Sequence, residues 1–143
     1  MDKIHTEASI KIDKDVTIRG SGPDATIVQG ASDAKLAEDR VFQIKEGAIV
    51  TLEGLTIRYG KVEEIPRGGG GVQNYGNLTI KECVISDNIA TYGVGVHNRG
   101  QLKMIDSAII NNIGKPRPLE DERKGRDCGG SGGGLKVQAN SEA

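Results

Sequence analysis

The chain has 143 residues, enough for one domain with a buried core, and its 19 basic and 20 acidic residues leave a net charge of −1. This balance gives no electrostatic reason to expect a nucleic acid or an anionic membrane as a partner. Twenty-one glycines and only four aromatic residues argue against an ordinary aromatic-rich core, and they favour short aliphatic strands joined by tight turns.

Targeting and metal-binding signals are not evident in the sequence. No stretch is apolar over the roughly 18 residues that a membrane-spanning helix needs. The N-terminal segment lacks the apolar core of a signal peptide, so the chain itself is expected to carry no export signal, and its localisation stays open. Cys83 and Cys128 match no metal-binding spacing, and whether they form a disulfide also stays open. We therefore expect no cofactor, no metal ion and no insertion into a membrane.

The N-terminal part of the chain predicts a cap and one set of short strands. Residues 1–8 are a candidate N-terminal cap. Apolar and polar residues alternate with period two at 10–12 and 16–18, and an apolar pair follows at 27–28, which together predict three short strands. The segment 31–40, ASDAKLAEDR, has local helix propensity. We expect it to be an insertion between the first two sets of strands, either a short turn or helix or a loop.

The same three-strand rhythm returns in the middle of the chain. Residues 42–44, 50–52 and 55–57 repeat the alternation and end at Gly60. Two clearer copies follow at 71–88 and 95–112, which align without a gap at a spacing of 24 residues. Seven of the 18 aligned positions are identical: Gly71/Gly95, Val72/Val96, Asn74/Asn98, Gly76/Gly100, Leu78/Leu102, Ile85/Ile109 and Asn88/Asn112.

Copies of this length cannot bury an apolar face alone, so they must stack. Each strand is expected to pair in parallel with its equivalent in the next coil, about 4.8 Å away. Two inward rows follow, one of Leu52, Ile80 and Met104 and the other of Ile57, Ile85 and Ile109. Asn88 and Asn112 predict an asparagine ladder at a corner. Gly76 and Gly100 are expected to supply positive φ at a turn.

The predicted fold is therefore all-β. It is a right-handed parallel β-helix, or solenoid, of roughly four to five three-strand coils with a period of about 24 residues. The coils form a single domain over residues 1–143, with loop insertions at 31–40 and 113–133. The last coil, which opens at 134–137, is expected to be incomplete.

The copies resemble the right-handed parallel β-helix of the pectin-lyase-like superfamily over residues 8 to 137. More narrowly, they are similar to the repeats of polymorphic outer membrane proteins and related bacterial surface adhesins, which carry a GGAI-like element followed by Phe-x-x-Asn. The first element stands at 69–72, 93–96 and 132–135, and the second at 85–88 and 109–112, with Ile where that family has Phe. The resemblance implies an extracellular or cell-surface location.

One corner of the predicted tube carries all the variable connections. These leave after Gly60, Asn88 and Asn112 and reach the next copy after 11, 7 and 22 residues. Because solenoids vary their loops on a rigid frame, this corner is the predicted binding face for a glycan or protein. Glu63 and Lys115 lie in the wider set of polar residues expected there. The predicted ligand-binding residues are Arg58, Tyr59, Glu64, Arg67, Tyr92, Arg117, Glu120, Arg123, Arg126 and Asp127. The alternative is that these charge-rich segments are simply solvated loops.

The residues at outward positions of the strands indicate whether the chain is a binding protein or an enzyme. Lyases and hydrolases that share the fold need carboxylates at outward positions of neighbouring coils. The outward positions on two faces instead carry Thr51, Thr79, Lys103, Thr56, Val84 and Ala108. We assign no catalytic residue and expect a non-enzymatic, adhesin-like scaffold. Two alternatives stay open, a polysaccharide lyase or hydrolase (or a degenerate relative) and a structural fragment that self-associates through open coil ends.

Overall fold

The computed structural model describes residues 3–7, 9–63, 68–91, 93–115 and, for the backbone, 135–137. Every pairing between the described strands is parallel, and the strands stack into four sheets. The predicted all-β solenoid is therefore confirmed. Successive coils stack on one another because equivalent residues of neighbouring copies form the hydrogen-bonded pairs.

The strands follow one another coil by coil. The first part of the chain forms β1 (Lys3–Thr6), β2 (Ile10–Ile12), β3 (Val16–Arg19) and β4 (Thr26–Gln29). The next coil contains β5 (Phe42–Ile44), β6 (Ile49–Glu53), β7 (Thr56–Arg58) and β8 (Lys61–Val62). The two copies recognised in the sequence form β9 (Val72–Asn74), β10 (Asn77–Lys81), β11 (Val84–Ser86), β12 (Ile89–Ala90), β13 (Val96–Asn98), β14 (Gln101–Ile105), β15 (Ala108–Ile110) and β16 (Ile113–Gly114). The last strand is β17 (Leu135–Val137).

Four sheets run along the stack. They have the strand orders β1-β4-β7-β11-β15, β3-β6-β10-β14, β2-β5-β9-β13-β17 and β8-β12-β16. The fourth sheet, β8-β12-β16, adds a two-residue strand to coils in which the sequence predicted three strands followed directly by a loop.

The spacing between stacked residues is not uniform. Asn74 and Asn98 lie 24 residues apart, as the two aligned copies predict. The step is 28 residues from Gly60 to Asn88 and 34 from Arg19 to Glu53. The longer steps arise because earlier coils insert residues at their corners, while the strands keep their pairing register.

The inward rows predicted from the alternation are confirmed. Leu52 pairs with Ile80 and Ile80 with Met104, while Ile57, Ile85 and Ile109 stack in the neighbouring sheet. Leu52, Ile80, Ile57 and Ile85 are fully buried in one continuous core. Complete burial of each such side chain contributes about 1.5–3 kcal/mol relative to exposure.

Two asparagine ladders run along the stack, and the predicted one is confirmed. The Asn88 side-chain amide donates to the Asn112 Oδ1 at 2.9 Å. A second ladder joins the Asn74 Nδ2 to the Asn98 Oδ1 at 2.6 Å. All four side chains also bond to backbone groups at the turns. Buried amides are tolerated in this way because each satisfies groups that the turn leaves unpaired.

The corners use left-handed backbone at three stacked positions. Positive φ values recur at equivalent residues of successive coils: one set is Gly54, Glu82 and Asp106, a second is Tyr59, Asp87 and Asn111, and a third is Gly69 and Gly93. Gly76 and Gly100 are not among these residues, so the prediction that they supply positive φ is wrong. Their role is close approach, because a Cβ at Gly76 would lie 2.5 Å from the Ala48 carbonyl oxygen.

The two segments that flank the first coil form short regular structure. Within the predicted insertion 31–40, Ala34–Leu36 forms one turn of 3-10 helix, and the Asp33 side chain accepts a hydrogen bond from the Lys35 amide at 2.8 Å. In the predicted cap, β1 pairs with β4. The 113–133 insertion lies outside the described residues beyond Lys115.

Cys83 is a free, buried thiol that belongs to the core. Its Sγ donates to the Leu52 and Lys81 carbonyl oxygens at 3.3 and 3.2 Å. Burial raises the pKa of this thiol, since the thiolate would lose its hydration. Cys128 lies outside the described residues.

Candidate binding site at the loop corner

The three variable connections begin from strands that stack on one another. Lys61 of β8 pairs with Ile89 of β12, and Ile89 pairs with Ile113 of β16. Each two-residue strand therefore starts a connection directly above or below its neighbour. The interiors of these connections, at 64–67, 92 and 116–134, lie outside the described residues.

A polar cleft of about 380 Å³ opens between the 31–40 insertion and β8. Its lining residues are Ala37, Glu38, Asp39, Arg40, Lys61, Val62 and Glu63. Val62 also belongs to a small second apolar cluster with Ala90 and Val94. The insertion between the first two coils thus reaches the same corner as the later connections, which the sequence did not indicate.

An ion cluster joins the first connection to the third. The Lys115 ammonium donates to the Glu63 carboxylate, and the Lys61 Nζ lies 3.6 Å from the same oxygen. The hydrogen bond from Lys115 is the main cause that lowers the pKa of Glu63, against a smaller opposing effect of desolvation. Glu63 and Lys115 are 52 residues apart in sequence. The structure therefore brings together two polar residues that the sequence had placed on one side of the tube.

Arg40 anchors the insertion to the first connection. Its side chain is 5% exposed, with the guanidinium 3.5 Å from the Asp39 carboxylate. It also donates to the Gly68 carbonyl oxygen at 3.4 Å. Because a buried cation needs polar partners, these contacts hold the wall of the cleft against the chain beyond β8.

Of the predicted ligand-binding residues, the structure describes Arg58 and Tyr59. The Arg58 guanidinium lies 4.5 Å from the centre of the Tyr59 ring. The Arg58 Nε donates to the Gln29 Oε1 at 3.0 Å, and the Gln29 amide donates to the Thr6 hydroxyl at 3.0 Å. Arg58 therefore already has an aromatic and an amide contact, three residues before the start of β8. The other eight predicted residues lie outside the described part of the chain: Glu64, Arg67, Tyr92, Arg117, Glu120, Arg123, Arg126 and Asp127.

A row of polar residues on a third outer face escaped the sequence analysis. Gln43, Gln73 and His97 stack in register, and they alternate with inward residues such as Val72. The Gln43 amide donates to the Gln73 Oε1 at 3.2 Å. Gln73 and His97 are each only 3% exposed although they lie on the outer side of the sheet. In the sequence, this row corresponds to the polar middle residue of three aligned segments, FQI at 42–44, VQN at 72–74 and VHN at 96–98.

The described residues define the class of protein, which is a parallel β-solenoid with a variable corner. No family model matches the chain, and neither a curated protein nor a solved structure matches it. The narrower resemblance to pectin-lyase-like and outer-membrane-protein repeats therefore stays a prediction. None of the helical structure in the described residues is long and apolar enough to cross a membrane. Among those same residues, His, Cys, Asp and Glu form no group of three or more that could hold a metal ion.

Proposed function

We propose that this chain is a non-enzymatic, adhesin-like scaffold of a surface or secreted protein, and that it binds a glycan at the loop corner. The observation that carries the proposal is the stacking of β8, β12 and β16. It collects connections of unequal length on one face beside the polar cleft. In solenoids, variation of loops on a rigid frame marks the binding surface.

The chemistry of the cleft supports a glycan as the ligand. Glu38 and Glu63 offer acceptors, while Lys61 offers donors, within one concave surface. A sugar ring presents hydroxyl groups that both donate and accept. The cleft and Lys115 together contain equal numbers of acidic and basic side chains, so they do not select strongly for either an anionic or a cationic ligand.

A glycan-array screen of the purified chain tests the proposal. We expect a defined subset of glycans to bind and the Lys61→Ala/Glu63→Ala variant to weaken that binding at least tenfold, because the variant removes the charged side chains of the cleft wall formed by β8 and Glu63. The Glu120→Ala/Arg123→Ala variant tests the third connection in the same way. Lys103→Ala/Glu46→Ala is the matched control, since it removes one exposed cation and one exposed anion away from the corner.

Two results would contradict the proposal. One is the absence of binding to any glycan by the unmodified chain. The other is Ca²⁺-dependent release of unsaturated uronides from an acidic polysaccharide, which would establish the enzymatic alternative instead.

Self-association is the second candidate function, and a different observation favours it. Ile110 on β15 and Ile113 on β16 are 47% and 57% exposed. These strands are the outermost described members of their sheets, so their apolar side chains and open edges face away from the stack.

A further inference from the structure

The strand β8 lies at one edge of the fourth sheet and is paired fully on only one side. Toward β12, the Gly60 carbonyl oxygen accepts from the Ile89 amide at 2.9 Å. Toward the first coil, the Lys61 amide donates to the Asp39 carbonyl oxygen at 3.0 Å. Asp39 also lines the cleft, so this second side of β8 is the side that faces the cleft.

Strand geometry identifies which other backbone groups face the cleft. In an extended strand the N–H and C=O of one residue point the same way, and alternate residues share a side. The Lys61 carbonyl therefore points toward the cleft, and the Glu63 amide does so two positions later. Within the described part of the chain, neither group takes part in a backbone hydrogen bond. At the other end of the sheet, the Ile113 and Lys115 amides point back into the stack, where they bond to the Asn88 and Ala90 carbonyl oxygens at 2.8 Å each.

The path of the first coil explains why this edge is open. The first coil follows β7 only as far as Gly30, whose amide donates to the Arg58 carbonyl oxygen at 3.1 Å. The chain then makes the 3-10 turn at Ala34–Leu36 and comes back to β8 at Asp39. No strand of the first coil pairs with β8 among the described residues, and the cleft of about 380 Å³ lies alongside β8.

We infer that the open edge of β8 accepts an extended peptide segment of a protein partner as an added strand. The Lys61 carbonyl and the Glu63 amide have no backbone partner among the described residues, and they match the alternating donors and acceptors of an extended peptide backbone, which is the basis of strand addition at exposed sheet edges. The charges around the cleft balance one another, so they favour neither an acidic nor a basic peptide. The acidic side chains at the cleft, Glu38, Asp39 and Glu63, are balanced by Arg40, Lys61 and Lys115. The peptide site lies in the same cleft as the proposed glycan site, but it uses backbone groups of β8, so peptide binding does not require glycan binding.

A titration of the ¹⁵N-labelled full chain with an uncharged peptide tests the inference. The probe is acetyl-(Val-Thr)₃-amide, whose residues favour extended backbone. We expect saturable shifts at the Val62 and Glu63 amides. Two analogues carry N-methyl groups, one on the three threonines and the other on the three valines, because either set of amides can face β8. We expect one of these analogues to bind at least tenfold more weakly than the unmodified peptide. Absence of shifts at millimolar peptide, or equal affinity for the peptide and both analogues, would overturn the inference.

Two proline variants test the same edge from the protein side. Glu63→Pro removes the amide that points to the cleft and should weaken peptide binding at least tenfold. Glu46→Pro is the matched control, because Glu46 is the second residue of a turn closed by the Ala48 amide and Lys45 carbonyl at 3.2 Å, with Gly47 at φ 87°. Proline suits that position of a type II turn. Thermal unfolding shows whether Glu63→Pro folds, and if it does not, the N-methylated peptides carry the test. Wild-type affinity in a folded Glu63→Pro chain contradicts the inference.

Discussion

At the scale of single residues, position in the stack determines backbone conformation more strongly than residue type. Glu82 and Asp106 have φ values of 51° and 47° at the corner where the preceding coil has Gly54. A side chain with a Cβ pays about 1–2 kcal/mol in this conformation, and Asn pays less because its short amide bonds locally. The neighbouring coils pair on both sides of this corner, so the backbone keeps the left-handed turn even with Glu in place.

The strain at Glu82 predicts a stabilising substitution. Glu82→Asn should raise the free energy of unfolding by about 0.5 kcal/mol, since Asn tolerates the left-handed conformation better than Glu. Urea unfolding measures this as a higher midpoint at an unchanged slope. Thr79→Asn is the control, because Thr79 lies within the extended strand β10, where Asn is unfavourable. A lower midpoint for Glu82→Asn would show that this corner is not strained.

At the scale of elements, the asparagine ladders hold the turns of adjacent coils in register. Asn88 is fully buried, its Oδ1 accepts from the Gly60 amide at 2.9 Å, and its Nδ2 donates to Asn112 at 2.9 Å. One side chain therefore connects three successive coils at the corner from which the variable connections leave.

Removing this ladder residue should destabilise the fold strongly. Asn88→Ala leaves the buried Gly60 amide without its partner, and we expect a loss of about 2–4 kcal/mol from the unpaired group and the cavity together. Asn77→Ala is the control, because Asn77 is exposed and, among the described residues, its side chain donates to Gln101 alone, at 3.2 Å. We expect that variant to change stability by no more than about 0.5 kcal/mol. Equal midpoints for the two variants in urea would contradict a structural role for the ladder.

At the scale of the whole molecule, the strands of each coil pair only with strands of the coils beside it, so the exposed sheet edges behave as surfaces in their own right. The exposed side chains of Ile110 and Ile113 lie at the edge formed by β15 and β16. Ile49 is 56% exposed, yet it lies on β6, which is paired on both sides. Among the described strands, Ile110 and Ile113 therefore lie beside an unpaired strand edge, whereas Ile49 does not.

This difference predicts how lysine substitutions at the exposed isoleucines affect self-association. If the edge at β15 and β16 pairs with a second copy, light scattering should show a mass that rises with concentration, and Ile110→Lys/Ile113→Lys should return it to the monomer value. Ile49→Lys is the matched control and should leave association unchanged. A strictly monomeric chain at all concentrations would remove self-association as a function.

The core and the pairing register could be predicted from sequence, whereas the candidate site could be predicted only in outline. Alternation with period two identified Leu52, Ile80 and Met104 as one inward row, since a one-residue shift would turn every apolar side chain outward. The strand β8 has only two residues, which is too short to show an alternation of apolar and polar side chains. The corner was nevertheless predicted from unequal spacing, and the contact of Glu63 with Lys115 agrees with it.

The sequence by itself determined the solenoid, its inward rows and the Asn88/Asn112 ladder, because repeated copies of one local pattern stack in register only when the apolar side chains face inward and equivalent asparagines lie above one another. Tertiary structure decided the fourth sheet, the cleft between the 31–40 insertion and β8, and the close approach that requires Gly76 and Gly100. Those features depend on distances between backbones of different coils. Such distances follow from the packed path of each insertion, which no local pattern of residues encodes.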